Sequence, residues 1–362
     1  MYRILTEKLP VRELQRRGVC LLKLQIGGRH TGMYGRTVIT FQPSGQLQEL
    51  PSNNMSSGDI VGLSLSSSNS SNEDLGSGIV TKVSQSAISV AFDESQELFS
   101  LDDDSYYKLM KLANDVTYKR LKRALSNLEN VNTGPTSHLV AVLFGEAELS
   151  APYLTNEIHF VNTKLDDSQK DAVIFSLSQP EVAIVHGPPG TGKTTTVIEI
   201  IVHAVKQGKK ILACAPSNIA VDNLLERLIK YKQKAIRLGH PARILPHVQK
   251  YCLDALLSNS DETKLVEDVR QDLDKSLSKL RKTKDRGEKQ KLREDMKFLR
   301  KELMQREEAA TREILKHADI VLSTLTSASK DGPLKLLDEG HFDLTIIDEC
   351  SQVLALYIFD YF

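Results

Sequence analysis

From Gly18 to Phe99 the apolar residues come in short runs: Val19–Ile26, Arg36–Phe41, Asp59–Leu63, Gly78–Val83 and Ala87–Phe92. Turn residues separate them, at Gly27-Gly28, Pro43-Ser-Gly45 and Ser57-Gly58. Runs of this length bounded by such residues read as strands, and five or six at this spacing predict a small β-barrel. A Ser/Asn tract with Glu73 and Asp74, between Ser64 and Gly78, is expected to form a mobile loop. Small barrels bind single-stranded nucleic acid when one face is basic and aromatic. These strands carry few residues of either kind, so a steric or guiding role stands beside binding.

The period then changes. Leu109, Leu112, Val116, Leu121, Leu125 and Leu128 keep a helical spacing, which predicts a long helix from Asp102 to about Leu128. Its acids lie at the start and Lys119, Arg120, Lys122 and Arg123 toward the end, as a helix dipole favours. Asn132-Thr-Gly-Pro135 breaks it, and a second helix is expected around Ser137–Phe144. From Ile158 onward, strand candidates, all but the third largely apolar, alternate with helical patterns: Val182–Val185, Lys210–Ala215, Ala235–Leu238, Ile320–Ser323 and Asp343–Ile347. That alternation predicts a parallel sheet covered by helices. Between about Asp261 and Lys316 a charged stretch interrupts it, with a leucine stripe at Leu273, Leu277, Leu280, Leu292, Met296, Leu299 and Leu303. A narrow seam on such a background predicts a protruding helical hairpin.

Charge adds little to this outline. Lys+Arg and Asp+Glu both number 47, so any nucleic-acid surface must come from local clustering. The charged stretch has such a cluster: Lys264 to Lys316 holds 17 basic against 12 acidic residues, compatible with phosphate contact or with a solvated hairpin. Cys20, Cys214, Cys252 and Cys350 form no CxxC pair, which fits buried thiols rather than disulfides or a zinc site. The first eight residues carry charges where a signal peptide needs an apolar core, and no run reaches membrane-spanning length. A soluble intracellular protein with no membrane partner is expected.

Two stretches carry chemistry. Val182–Val185 leads into Gly187-Pro188-Pro189-Gly190-Thr191-Gly192-Lys193-Thr194-Thr195, and a helical pattern follows. Strand, glycine-rich loop and helix in this order form a phosphate-binding loop. The glycines let successive N–H groups point at an anion, and the helix N-terminus adds unpaired donors. Lys193 supplies a point charge near the β- and γ-phosphates of a nucleotide, and the Thr194 hydroxyl is suited to ligate Mg²⁺. The second stretch is Asp343-Leu-Thr-Ile-Ile-Asp348-Glu349, a strand that delivers two carboxylates to a sheet edge. The expected roles are Asp348 on Mg²⁺ and Glu349 as the base orienting the attacking water.

With Leu165-Asp-Asp-Ser-Gln169 upstream and Ala215-Pro-Ser-Asn-Ile-Ala-Val-Asp-Asn-Leu224 downstream, these stretches resemble the Q motif and motifs I, Ia and II of superfamily 1 helicases. The branch they resemble translocates 5′→3′, and the resemblance covers roughly Val11 to Gln352. It implies that Gln169 reads the adenine. It also implies that Pro216, Ser217, Asn218, Ser323 and Thr324 lie at the backbone of single-stranded DNA or RNA. The fold it implies is α/β: a RecA-like P-loop NTPase lobe with a small N-terminal β-barrel, a helical stalk and an inserted charged helical hairpin. The corresponding division is an N-terminal segment 1–17, a barrel 18–100, a stalk 101–150 and a first motor lobe 151–362, with the insertion at about 261–316. A monomer working in cytoplasm and nucleus is implied too, recruited to the ribosome or the transcription machinery.

The ending departs from the family pattern. Val353–Phe362 has no counterpart in it, and the second motor lobe with its arginine fingers does not follow, so a truncated product with half an ATPase cleft is expected. Such a chain should bind nucleotide weakly and turn it over slowly. A nucleotide- and nucleic-acid-binding isoform without activity is one alternative. A ring-forming AAA-type ATPase, which shares the Gly-Pro-Pro-Gly-Thr-Gly-Lys-Thr loop, is another, and Gln169 and Ala215-Pro-Ser-Asn218 argue against it.

Overall fold

A computed structural model describes residues 9–32, 36–45, 49–66, 74–92, 101–102, 105–112, 116–129, 137–154, 158–258, 263–283, 285–329 and 331–352. Residues 67–73 of the Ser/Asn tract, the Asn132–Pro135 break and the tail from Val353 lie outside them, while the tract's described ends, Ser64–Leu65 and Asp74–Gly78, are strand rather than the expected loop. In chain order, the elements begin with α1 (Val11–Arg16), β1 (Cys20–Thr31), β2 (Thr37–Pro43) and β3 (Ile60–Leu65). Next come β4 (Asp74–Val83), β5 (Ile88–Phe92), β6 (Tyr107–Lys111), α2 (Val116–Glu129), α3 (Ser137–Leu143), α4 (Asp167–Ser178) and α5 (Lys193–Lys206). Then follow β7 (Ile211–Ala215), α6 (Asn218–Lys230), β8 (Ala235–Arg237), α7 (Leu253–Ser258), α8 (Thr263–Lys282) and α9 (Arg286–His317). The last strands are β9 (Ile320–Thr324) and β10 (Leu344–Ile347). The chain divides into two compact units, one holding residues up to 115 and 261–309, the other 116–260 and 310 onward.

In the first unit, six antiparallel strands close a barrel in the order β1-β2-β5-β4-β3-β6. Alternation along each strand sends one set of side chains inward. Leu24, Ile39, Phe41, Leu63, Val90, Phe92, Tyr107 and Leu109 fill the interior. The Phe41 ring meets Phe92 and Tyr107 edge-on, at centroid distances of 6.4 and 6.0 Å. The five expected strands are present, but the helix expected from Asp102 is not. Tyr107–Lys111 is instead the strand that closes the barrel, pairing with β1 and β3, and the helix starts at Val116. Leu109, Leu112 and Val116 satisfy a helical period by coincidence; inward Tyr107 and Leu109 alternate with Lys108 and Met110, and strand pairing decides.

The charged hairpin belongs to this same unit. Val266, Leu273, Leu277 and Leu280 of α8 face Met296 and Leu303 of α9 in the expected apolar seam. It does not stand free, however. Asp274 Oδ1 accepts the Thr31 backbone N–H at 2.8 Å, and Arg300 donates to Thr37 Oγ1 at 3.0 Å. The hairpin thus braces the end of the β1–β2 ribbon.

The second unit is built on a parallel sheet in the order β10-β7-β9-β8. β7 and β9 are buried along their full length, as strands covered on both faces must be. α5 and α6 supply Ile198, Ile201, Val221, Leu224 and Leu228 to one core. One expectation needs correcting here: Val182–Val185 forms no strand, and Ile184 is 76% exposed. Its β-branched run is extended in propensity, but a strand needs a hydrogen-bonded neighbour, and among the described residues the ladder on β10 runs to β7 alone. α2 docks on this unit through Arg123, which donates to Asp331 Oδ1 at 2.6 Å, and through Arg120, which donates to the Thr326 carbonyl.

Candidate nucleotide-binding site

Parallel pairing brings three strand ends level. Ala215 of β7 lies opposite Thr324 of β9, and Cys214 lies opposite Ile347 of β10. Whatever follows these strands therefore gathers at one edge, the carboxyl edge where α/β sheets hold ligands.

The phosphate loop reaches the site without a strand before it. Gly190 (φ +86°) and Gly192 (φ +80°) adopt the left-handed conformation that bends the loop back into α5. Thr191 Oγ1 donates to the Pro188 carbonyl at 2.9 Å. Lys193 Nζ donates to the carbonyls of Gly187 (2.8 Å) and Pro188 (3.0 Å), so the loop closes round its ammonium group. The Thr195 N–H bonds to Gly192 O at 2.8 Å, and the Thr195 hydroxyl accepts Arg227 Nη1 from α6 at 3.2 Å.

Gln169 is tied to that loop. Asp166 caps α4 by accepting the Gln169 N–H at 2.8 Å, and Gln169 Oε1 accepts the Asp166 N–H at 3.2 Å. The other end of the same amide donates from Nε2 to the Thr191 carbonyl at 3.0 Å. A side chain expected to read adenine is here engaged at both ends within the chain. A buried carboxylate anchors the segment ahead of α4: Glu199 of α5 accepts the amides of Val161 (2.5 Å) and Asn162 (3.2 Å) and His203 Nε2 (3.0 Å).

Asp348 follows β10 directly, and its own N–H bonds to Cys214 O at 2.9 Å. Its half-buried carboxylate accepts the Thr194 hydroxyl at 3.5 Å and the Glu349 N–H at 3.1 Å. Burial pushes the Asp348 carboxyl above its usual range, only partly offset by the Glu349 amide, Thr194 and Lys193, while the Glu349 charge adds to the rise. Glu349 sits at φ +58°, left-handed for a residue with a Cβ, and its exposed carboxylate accepts the Gln352 amide.

The expected nucleic-acid contacts separate into two sets. Pro216 is half-exposed and Ser217 exposed, with Ser217 Oγ capping α6 by accepting the Ala220 N–H at 3.2 Å. Half-buried Asn218 accepts Arg237 Nη2 at 2.8 Å. Ser323 and Thr324, by contrast, are buried, their hydroxyls bonded to Thr324 O and Ser327 Oγ. The side chains missed from sequence are Glu199, Arg227, Asp222 and Arg237. Arg237 left a trace as a charge inside a strand candidate, and Asp222 lies within the Ala215–Leu224 stretch. Among the described residues, no cluster of three or more His, Cys, Asp or Glu could hold a metal, and no helix is long and apolar enough to cross a membrane.

Parallel sheet, glycine-rich loop at a helix start and acid pair at the end of β10 define a RecA-like P-loop lobe. Comparison with known families agrees. A family model described as "AAA domain" matches residues 164–359, and one described as "Helicase SMUBP-2/HCS1, 1B domain" matches residues 2–112. The chain belongs to this AAA-domain family, in the branch of superfamily 1 helicases that includes SMUBP-2. It is 54% identical over 351 residues to the "DNA-binding protein SMUBP-2" of Mus musculus, covering 96% of this chain and 35% of the mouse protein. It is 35% identical over 360 residues to the "DNA polymerase alpha-associated DNA helicase A" of Schizosaccharomyces pombe, covering 96% of this chain and 54% of that protein. With the like-named protein of Saccharomyces cerevisiae the identity is 32% over 294 residues. The chain thus spans about a third of the length of its rodent relatives.

Proposed function

We propose that this chain carries the nucleotide-gripping part of an ATP-dependent 5′→3′ DNA/RNA helicase, with ATP and Mg²⁺ as cofactors. The observation that carries the reading is the meeting of Thr194 and Asp348, at 3.5 Å, beside a loop closed on Lys193. Hydroxyl and carboxylate are the hard oxygen donors that Mg²⁺ takes, usually with waters completing its shell. The loop backbone is open beside Gly190, where a Cβ would meet nothing within 4 Å, whereas at Gly187 and Gly192 a Cβ would meet Thr191 Oγ1 at 2.8 Å and Gln169 Nε2 at 2.5 Å.

In this reading Gly187 to Thr195 cradle the phosphates with main-chain amides, and Lys193 exchanges its bonds to Gly187 O and Pro188 O for phosphate oxygens. Thr194 and Asp348 would hold the ion, which would supply charge neutralisation to the bound phosphates. Glu349 orients a water and takes its proton. Gln169 holds the loop beside the base. Single-stranded DNA or RNA runs along the edge marked by Pro216, Ser217 and Asn218. Ser323 and Thr324 act there by holding the turn after β9, since their side chains are buried. Resemblance to the family supports a monomer in cytoplasm and nucleus, serving the ribosome or the transcription machinery.

Titration of the chain with a fluorescent ATP analogue tests the reading. Binding should require Mg²⁺ and weaken by roughly 10–100-fold in Lys193→Ala, the worth of charge-assisted hydrogen bonds. Equal binding by the variant would overturn it. Hydrolysis stimulated by a single-stranded oligonucleotide supports the motor, and binding without turnover supports the inactive isoform.

A further inference from the structure

Arg237 is fully buried, and every arm of its guanidinium is engaged. Nε donates to Asp222 Oδ1 at 2.8 Å, Nη1 to the Leu238 carbonyl and Nη2 to Asn218 Oδ1 at 2.8 Å. Asp222 Oδ2 accepts the Leu245 N–H at 2.9 Å. A buried ion pair is weak evidence for stability, because desolvation offsets most of its attraction. What this one does supply is geometry, through the third arm.

A guanidinium has donors only, so the Asn218 amide must present its oxygen to Arg237. That fixes which way the amide points. Its Nδ2 hydrogens then meet no protein acceptor among the described residues, and the atom is not sealed from solvent. Asn218 opens α6 at the carboxyl edge of the sheet, between exposed Ser217 and Ile219.

We propose that Arg237 is a positioning residue for nucleic-acid binding: by taking the Asn218 oxygen it holds Nδ2 outward as a donor to a phosphodiester oxygen. This rests on the helicase reading above. Without Arg237 the amide would be free to turn its oxygen outward, toward an anion it cannot bond. Lysine would not substitute, because a point charge paired with Asp222 lacks the second arm that reaches Asn218.

The test is binding of a labelled oligothymidylate to the 362-residue chain, with the ATP analogue and thermal unfolding as companions. Asn218→Asp keeps an acceptor for Arg237 and replaces the outward donor with a carboxylate oxygen. It should bind the oligonucleotide about tenfold more weakly or worse, with nucleotide affinity and Tm retained. Arg237→Lys should fall to the level of Asn218→Ala, and the double variant should fall no further, since both remove one oriented donor. Asn218→Asp leaves Arg237 and Asp222 untouched and carries the test if the lysine variant fails to fold. Unchanged binding by Asn218→Asp, or additive losses in the double variant, would overturn the inference alone. No oligonucleotide binding by the unsubstituted chain would overturn it together with the nucleic-acid part of the helicase reading.

Discussion

Thr194 Oγ1 lies 3.5 Å from Asp348 Oδ2, although 154 positions separate the two residues. Two parallel strands, β7 and β10, set the level of Asp348, while the bend at Gly192 sets the start of α5 and so the height of Thr194. The consequence is a half-buried carboxylate beside a hydroxyl.

That carboxylate makes the first prediction. Burial raises the Asp348 pKa in the folded chain above its unfolded value. Its contribution to stability is therefore full below the unfolded pKa and is lost as pH rises through the folded pKa. At neutral pH without Mg²⁺ the charge is a cost, and Asp348→Asn should raise Tm. The same variant should lose the strengthening of nucleotide binding by Mg²⁺, by about tenfold or more if the carboxylate is a direct ligand. A variant with lower Tm and intact Mg²⁺ dependence would refute both parts.

Gln169 gives the second. Its amide bonds to the Asp166 N–H at one end and to the Thr191 carbonyl at the other. Gln169→Ala removes half of a capping box and a tie on the phosphate loop, at a stability cost of about 1 kcal/mol. A loop-holding role weakens ATP and GTP alike, whereas base reading weakens ATP alone. Similar losses for both nucleotides are expected in competition with the fluorescent analogue. A loss confined to ATP would return Gln169 to adenine recognition only.

The third concerns Glu349, whose φ of +58° is costly for a side chain with a Cβ. Glu349→Gly should stabilise the chain by about 1 kcal/mol by relieving that strain, yet abolish hydrolysis. Glu349→Gln, which keeps shape and strain, should leave Mg²⁺-nucleotide affinity within about twofold while removing turnover. Loss of binding in the glutamine variant would show that Glu349 grips rather than activates.

How far these features were legible follows from how local they are. The phosphate loop, the acid pair and five barrel strands are written in contiguous stretches, where glycine spacing or alternation suffices. Tyr107–Lys111 was misread because its strand character comes from β1 and β3, more than forty positions away in chain order. Val182–Val185 failed the other way: β-branched residues marked an extended run, but no neighbour among the described residues pairs with it. Ser323 and Thr324 sit at the expected edge, yet their burial depends on the turn that follows β9. The Arg237 network joins α6, β8 and the loop at Leu245, a convergence that no local spacing encodes.

The hairpin supplies the last prediction. Leucine spacing alone foretold the seam between α8 and α9, but not that Asp274 and Arg300 would bond to Thr31 and Thr37. Leu273 is fully buried, so Leu273→Ala should destabilise the seam by about 2–5 kcal/mol. Asp274→Ala tests something different, because it leaves the seam whole and strips the Thr31 N–H of its acceptor, at about 1–3 kcal/mol. If the hairpin braces the barrel, Asp274→Ala should speed amide hydrogen exchange at the far end of β1 and the near end of β2, where the ribbon turns. Exchange in α8 and α9 should hardly change. Faster exchange confined to the helices would mean that the hairpin leans on the barrel without supporting it.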